Sequence, residues 1–135
     1  KGDTEKAQIF LDRFENSLTE SPFIAHAIII GDKQSTITAL VSPHFKNIRD
    51  WAIKRGFDGS IKDNAALARH PDVERLLKGE IERLLPDLAD FEKIRKFAVV
   101  GEEFTIDNGA LTPTLKVKKR ILLDRYKDVI EEMYR

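Results

Sequence analysis

Apolar residues recur along this chain in short, separable stretches, and their spacing changes from one stretch to the next. Ile9, Phe10, Leu11, Phe14 and Leu18 follow the three-and-four spacing of one helix face. Thr19-Glu20-Ser21-Pro22 ends that helix, because proline biases the residue before it away from the helical region. Ile24-Ala25-His26-Ala27-Ile28-Ile29-Ile30 is nearly continuous in apolar character, and Thr36-Ile37-Thr38-Ala39-Leu40-Val41 is a second run beyond Gly31–Ser35. Two such runs about a short Gly/Asp loop predict a hairpin. The unbroken apolar character of the first run predicts a central strand covered on both faces by helices.

Phe45, Ile48, Trp51 and Ala52 predict a short helix over 44–55, ended by Gly56. Residues 56–64 read as a loop and Ala65–Ala68 as a helical turn. Val73, Leu76, Leu77, Ile81, Leu84, Leu85 and Leu88 form the clearest amphipathic stripe, opened by His70-Pro71-Asp72 and stopped or kinked at Pro86. Phe97–Val100 predicts a third strand. Asn108-Gly109 predicts a two-residue turn of the type that needs positive φ at both positions. In that register Asp107 pairs with Ala110, Ile106 opposes Leu111, and Pro113 ends the second arm. A last helix spans 119–134, with Leu122, Tyr126, Val129, Ile130 and Met133 as its buried stripe. The order predicts an α+β fold, a small mostly antiparallel sheet with hairpins, flanked by helices.

Composition narrows the class. The 135 residues fit a single domain, 1–135, and no linker or internal repeat divides them. Lys+Arg and Asp+Glu number 23 each, so the net charge is zero. At 41% apolar and 34% charged residues, the chain is too apolar for disorder and too neutral for a general nucleic-acid binder. It has no cysteine, which excludes disulfides, thiolate metal sites and a cysteine nucleophile. No apolar run approaches the roughly 18 residues of a membrane-spanning helix. The polar opening, Lys1-Gly2-Asp3-Thr4-Glu5-Lys6, is unlike a signal peptide, and without an initiator Met the chain reads as a piece of a larger protein.

Candidate chemistry is sparse. His26, His44 and His70 lie far apart without a second ligand at helical spacing, so no metal site is expected. His26 reads as a packed strand residue, and His44 and His70 as helix-start residues. Glu80, Glu82, Glu131 and Glu132 read as solvated helix faces. The glycines are dispersed, so no phosphate-cradling loop exists here. One segment stands apart: four of the five residues from Lys116 to Arg120 are basic, in a neutral chain. Positive charge at a helix start opposes the macrodipole, by a few tenths of a kcal/mol per charge. A surface strip beside the acidic Glu102-Glu103 pair is the plain reading. Phosphate or anion binding by one mobile lysine is the functional one.

The longer stretch NGALTPTLKVKKR, Asn108 to Arg120, resembles the C-terminal signature of the acyl-adenylate-forming enzymes, in the form used by long-chain fatty acid–CoA ligases. Further stretches are similar to that family in the same order: Glu15–Ile24, Ile28–Lys33, Ala39–Pro43, Phe91–Phe97 and Glu102–Thr105. The resemblance implies the small C-terminal lid domain of such a ligase, with the large N-terminal domain that holds nucleotide and acyl chain outside this chain. It implies ATP, coenzyme A and Mg²⁺ as the full-length enzyme's cofactors, none held tightly by this piece, and a fatty acid as substrate. The lid would supply a lysine for acyl-adenylate formation and rotate away for thioester formation. The piece alone is expected to be inactive.

The broad family pattern P-x-T-x-x-G-K, counted from Thr114, gives Lys118 as the catalytic residue. Counting back from the basic residues of the last helix gives Lys116, and Val117 stands where the broad pattern has glycine. Lys118 comes first, Lys116 second, and Thr114 is expected to orient the segment on the substrate side. Ala7–Arg13 match the family's hinge motif poorly, so no hinge or coenzyme A residue is carried over. A cytoplasmic enzyme without nucleic-acid partners is expected, with peripheral membrane contact of the full-length form left open. Two other readings stand: a free-standing anion- or phosphate-binding module, and the lid of an adenylate-forming ligase for another acid. Salt-sensitive binding by the isolated chain would mark the first of these.

Overall fold

Both faces of one strand, β2 (Ile37–Pro43), are buried, and the other elements are arranged around it. The computed structural model describes residues 12–31, 37–56, 63–85 and 94–134. β1 (Ile24–Ile30) runs antiparallel to β2, with Ile28 opposite Leu40 and Ile29 opposite Ala39. β3 (Ile94–Val99) runs parallel to β2 on its other side, with Phe97 opposite Ala39. The strand order is β1-β2-β3. The predicted hairpin is present. β1, however, lies at the sheet edge and β2 is the central strand. The apolar run of β1 reflects burial on both faces, which an edge strand also has when helices cover it.

The parallel pairing follows from what lies between β2 and β3. A parallel partner needs a crossover rather than a tight turn. Here α2 (Phe45–Lys54), α3 (Asn64–Ala68) and α4 (Pro71–Leu84) supply it. The sheet is therefore mixed, one pairing antiparallel and one parallel, within the expected α+β class.

Alternation along the strands divides the core in two. Ala27, Ile29, Ala39 and Val41 face a cluster with Phe14 and Leu18 of α1 (12–18), Phe45 and Ile48 of α2, Leu67 of α3, and Val73, Leu77 and Ile81 of α4. Ile28 and Leu40 face the opposite cluster, with Val100, Phe104, Ala110, Leu111, Leu122 and Met133. The second layer comes from the chain after β3, including α5 (Lys119–Arg125) and α6 (Lys127–Met133).

Caps explain the helix limits. The Nδ1 atoms of His44 and His70 accept from the amides of Asn47, at 3.4 Å, and Asp72, at 3.1 Å. Both histidines are thus N-caps, and Asp63 caps α3 through Ala66 N at 2.6 Å. Gly56, at φ +82, follows the end of α2. The expected last helix is divided at Tyr126, where φ is −104 and ψ 23. Of its predicted stripe, Leu122 and Met133 are buried, Tyr126 and Ile130 half-buried, and Val129 exposed. Glu80 is not a solvated residue either: it accepts from Ser21 Oγ at 2.6 Å and pairs with Arg83.

The expected start of the first helix at Ile9–Leu11, the Asp32–Ser35 part of the hairpin loop with Thr36, the loop residues 57–62, Pro86 and Leu88 lie outside the described residues. No helix among the described residues is long and apolar enough to cross a membrane.

Leu77 is fully buried, whereas Ile53 on the neighbouring helix is 70% exposed. Leu77→Ala is expected to destabilise the fold by about 2–5 kcal/mol. Ile53→Ala should stay within about 0.5 kcal/mol. Urea unfolding of the two variants measures the contrast.

Candidate functional site: the lysine segment and its cleft

The chain after β3 is folded by local hydrogen bonds rather than by a second hairpin ladder. Asn108 Oδ1 accepts from Thr105 N at 3.1 Å and Ala110 N at 3.0 Å, while its Nδ2 donates to Glu103 O at 2.8 Å. Gly109 alone in this turn has positive φ, +82, so the two-residue turn with both residues left-handed does not form. Asn108's side chain holds a wider turn, in which Thr105 O accepts from both Ala110 N and Leu111 N. Ile106 is consequently 47% exposed while Leu111 is buried, and the expected pairing of the two is absent. Leu111 instead bridges Val117 in antiparallel fashion.

That bridge closes residues 112–116 into a tight loop. Thr112 N donates to Lys116 O at 2.8 Å, and Lys116 N donates to Thr112 Oγ1 at 3.1 Å. Thr114 reaches the loop through Thr112, hydroxyl to hydroxyl at 3.0 Å. The residue that fastens the loop is therefore Thr112, which pattern reading passed over. Its position directly across from Lys116 was a signal only once the loop was known to close. Leu115, at its tip, has φ 66 and is 61% exposed. A branched side chain at positive φ costs energy that the loop's hydrogen bonds must offset.

Lys118 leaves this loop as the N-cap residue of α5, its amide donating to Ala110 O at 2.8 Å. Its backbone is thereby fixed to the Asn108 turn. The turn is held from behind by Arg125, which donates to Asn108 O at 2.8 Å and to Glu102 Oε1 at 2.9 Å. Tyr126 Oη also donates to Glu102, at 2.6 Å, and burial with that hydrogen bond pushes the phenol well above its ordinary value. Glu102 thus serves the far end of α5 and does not neutralise the basic strip.

The four basic residues divide sharply. Lys119 Nζ meets Glu15 Oε1 at 2.7 Å and Asp12 Oδ1 at 2.8 Å, both on α1. Among the described residues Lys116, Lys118 and Arg120 have no ion-pair partner. Lys116 is exposed and Lys118 half-exposed. Two ammonium groups are therefore available beside one that is committed.

Glu15, which pattern reading did not single out, is the buried group of this region. Its other oxygen, Oε2, accepts from Ile29 N on the open edge of β1 at 2.8 Å. One carboxylate thus satisfies a sheet-edge donor and the first residue of α5. Burial raises its pKa, opposed by the hydrogen bonds from Lys119 and Ile29. Lys119 is held above its ordinary value, because these two carboxylates outweigh its own desolvation.

Glu15, Asp12, His26, Leu115, Lys116 and Lys119 line a single open cleft. His26 is half-buried, its ring stacked on Phe104 with centroids 5.9 Å apart, and burial lowers its pKa against the pull of Glu103. It is a packed residue at the cleft wall. Among the described residues no group of His, Cys, Asp or Glu could hold a metal ion.

The fold is shared with one part of two larger solved proteins. The chain matches the A-PCP didomain of carboxylic acid reductase from Segniliparus rugosus in complex with AMP, at TM-score 0.66 and 21% identity, over 92% of this chain and 16% of that one. It matches the adenylation domain of a carboxylate reductase from Mycobacterium chelonae at TM-score 0.68 and 20% identity, over 92% and 17%. At those identities the likeness is one of fold.

Sequence carries the comparison further, to the long-chain fatty acid–CoA ligases, with one segment of which this chain is homologous. It is 34% identical to Long-chain-fatty-acid–CoA ligase 1 of Cavia porcellus over 126 residues, 91% of this chain and 18% of that protein. Against the Homo sapiens ligase 1 the identity is 33%, over the same shares. Against ligase FadD15 of Mycobacterium tuberculosis it is 30% over 122 residues, 89% of this chain and 20% of the relative. The chain thus spans about a fifth of the length of the curated relatives it matches. No protein-family model matches it.

Glu15's raised pKa has a defined sign. The folded chain holds this proton more tightly than the unfolded chain, so protonation favours folding. Wild type is expected to gain stability relative to Glu15→Gln as pH falls from about 7 towards the ordinary value of 4.5, and to gain no more below it. Urea denaturation of both proteins across this window measures the difference; a flat or reversed trend contradicts it.

Proposed function

We propose that this chain is the C-terminal lid domain of an ATP-dependent, AMP-forming long-chain fatty acid–CoA ligase, and that Lys118 is the lysine it delivers for acyl-adenylate formation. The observation that carries the reading is the ammonium of Lys118, without an ion-pair partner among the described residues, on a backbone fixed to the Asn108 turn, within a segment that matches the ligases.

Acyl-adenylate formation brings an anionic carboxylate against the α-phosphoryl group of ATP, with loss of pyrophosphate. A cation presented there screens both charges, and does so most strongly where water is excluded. An ammonium already paired with carboxylates, as Lys119 is, has lost that capacity. Lys118 and Lys116 retain it. A fixed backbone with a free side chain suits delivery, because the charge arrives positioned without a large ordering cost. Lys118 is backed by the rigid turn behind it, whereas Lys116 sits on the exposed loop. Thr114, through Thr112, keeps that loop closed.

ATP, the Mg²⁺ that accompanies it and the acyl chain would be held by the large domain outside this chain, which itself supplies charge and closure. In the second half-reaction the thiol of coenzyme A displaces AMP. A lysine on a domain that turns away then clears the path for the thiol. The isolated chain is accordingly expected to be inactive.

In the full-length enzyme, Lys118→Ala should lower acyl-adenylate formation by about a hundredfold or more. Thioester formation from supplied acyl-adenylate should remain near wild type. Single-turnover assays of the two half-reactions measure this. Sparing of both would contradict the assignment of Lys118 and direct the same test to Lys116.

A further inference from the structure

The lysine loop is anchored to the sheet by a residue outside it. α5 begins with no side-chain cap, and its first residues are positively charged at the helix end that disfavours positive charge. Among the described residues, Asp12 and Glu15 are the carboxylates that pair with this basic stretch, through Lys119. Asp12 is largely exposed, while Glu15 is 9% exposed and also bonded to the backbone of β1. A buried ion pair adds little net stability, since desolvation offsets its attraction, but it selects one geometry over others.

We infer that Glu15 is a positioning residue for the adenylating lysine: by gripping Lys119, the residue next to Lys118, it sets where the Lys116–Lys118 stretch stands relative to the sheet. The inference rests on the lid reading above. Glu15 ties β1 to the first residue of α5, and the chain on the other side of Lys118 is tied to the Asn108 turn. Lys118 therefore stands between two fixed points. Removing the first leaves the start of α5 free to fray and to swing the ammonium. Glutamine at position 15 keeps an acceptor for the Ile29 amide but gives up the charge that holds Lys119, so the variant separates the two roles.

The test uses the full-length enzyme with Glu15→Gln, Lys119→Met and both together. Each single variant should lower the kcat of acyl-adenylate formation by about tenfold to a hundredfold, the range expected from a small misplacement of a catalytic group. The KM for ATP should stay within twofold. The double variant should fall no further than the poorer single one, because both remove the same link. Thioester formation from supplied acyl-adenylate should stay near wild type in both single variants, and so should the melting temperature of Glu15→Gln, which removes the buried charge; Lys119→Met, which leaves Glu15 buried with one partner fewer, is expected to melt lower.

The inference is overturned if Glu15→Gln forms adenylate within twofold of wild type, if the losses multiply in the double variant, or if in Glu15→Gln both half-reactions fall together with the melting temperature. Lys118→Ala in parallel keeps the two readings apart. A severe defect there with an unaffected Glu15→Gln removes the role of Glu15 alone. A spared Lys118→Ala removes the assignment of Lys118, while the Glu15 result is still read from its own rate.

Discussion

A sheet-edge amide and a helix-opening ammonium meet on the two oxygens of Glu15, and that meeting ties the start of α5 to β1. The Ile29 N–H lies on the open side of β1, where a donor without a partner is both costly and an invitation to mispairing. Lys119 opens a short helix from the end that disfavours its charge. The carboxylate gives each group a partner, and the two contacts together offset the cost of its burial. The stretch that carries Lys116 and Lys118 is thereby tied to the sheet as well as to the Asn108 turn.

Around this link the two faces of the sheet have different tasks. The face covered by α1 to α4 holds the larger cluster and forms the body of the domain. The face covered by the chain after β3 holds Leu122, Leu111 and Ala110, the buried residues of the lysine segment and its helix. Packing fixes that segment's inner side, and the Asn108 turn and Thr112 fix its path. Of its charged side chains, Lys119 is committed to α1, while Lys116 and Lys118 have no ion pair among the described residues.

Much of this was legible along the chain. Apolar spacing located α2 and α4, the β-branched runs located β1 and β2, and His70-Pro71-Asp72 opened a helix as its residues suggested. The order of strands was not legible, because an edge strand covered on both faces is as apolar as a central one. The Asn108-Gly109 register was misread for a physical reason: Asn108's side chain satisfies the amides that a strand ladder would otherwise take up. For the site, the basic segment and its resemblance to the ligases were visible at once. Which lysine is committed was not, since Lys119's partners lie more than a hundred residues away in sequence. Glu15 sat within a stretch similar to the ligases, yet nothing in its local pattern marked it as buried.

In the function proposed above, Lys118 meets the reacting phosphate while Lys119 is kept from it. Rates of lysine acetylation, read by mass spectrometry on the full-length enzyme with and without saturating ATP and fatty acid, test it most directly. Lys118 should be labelled readily in the free enzyme and protected when substrates are bound, with Lys119 slow in both states. Labelling of Lys118 that is unchanged by substrates would contradict it.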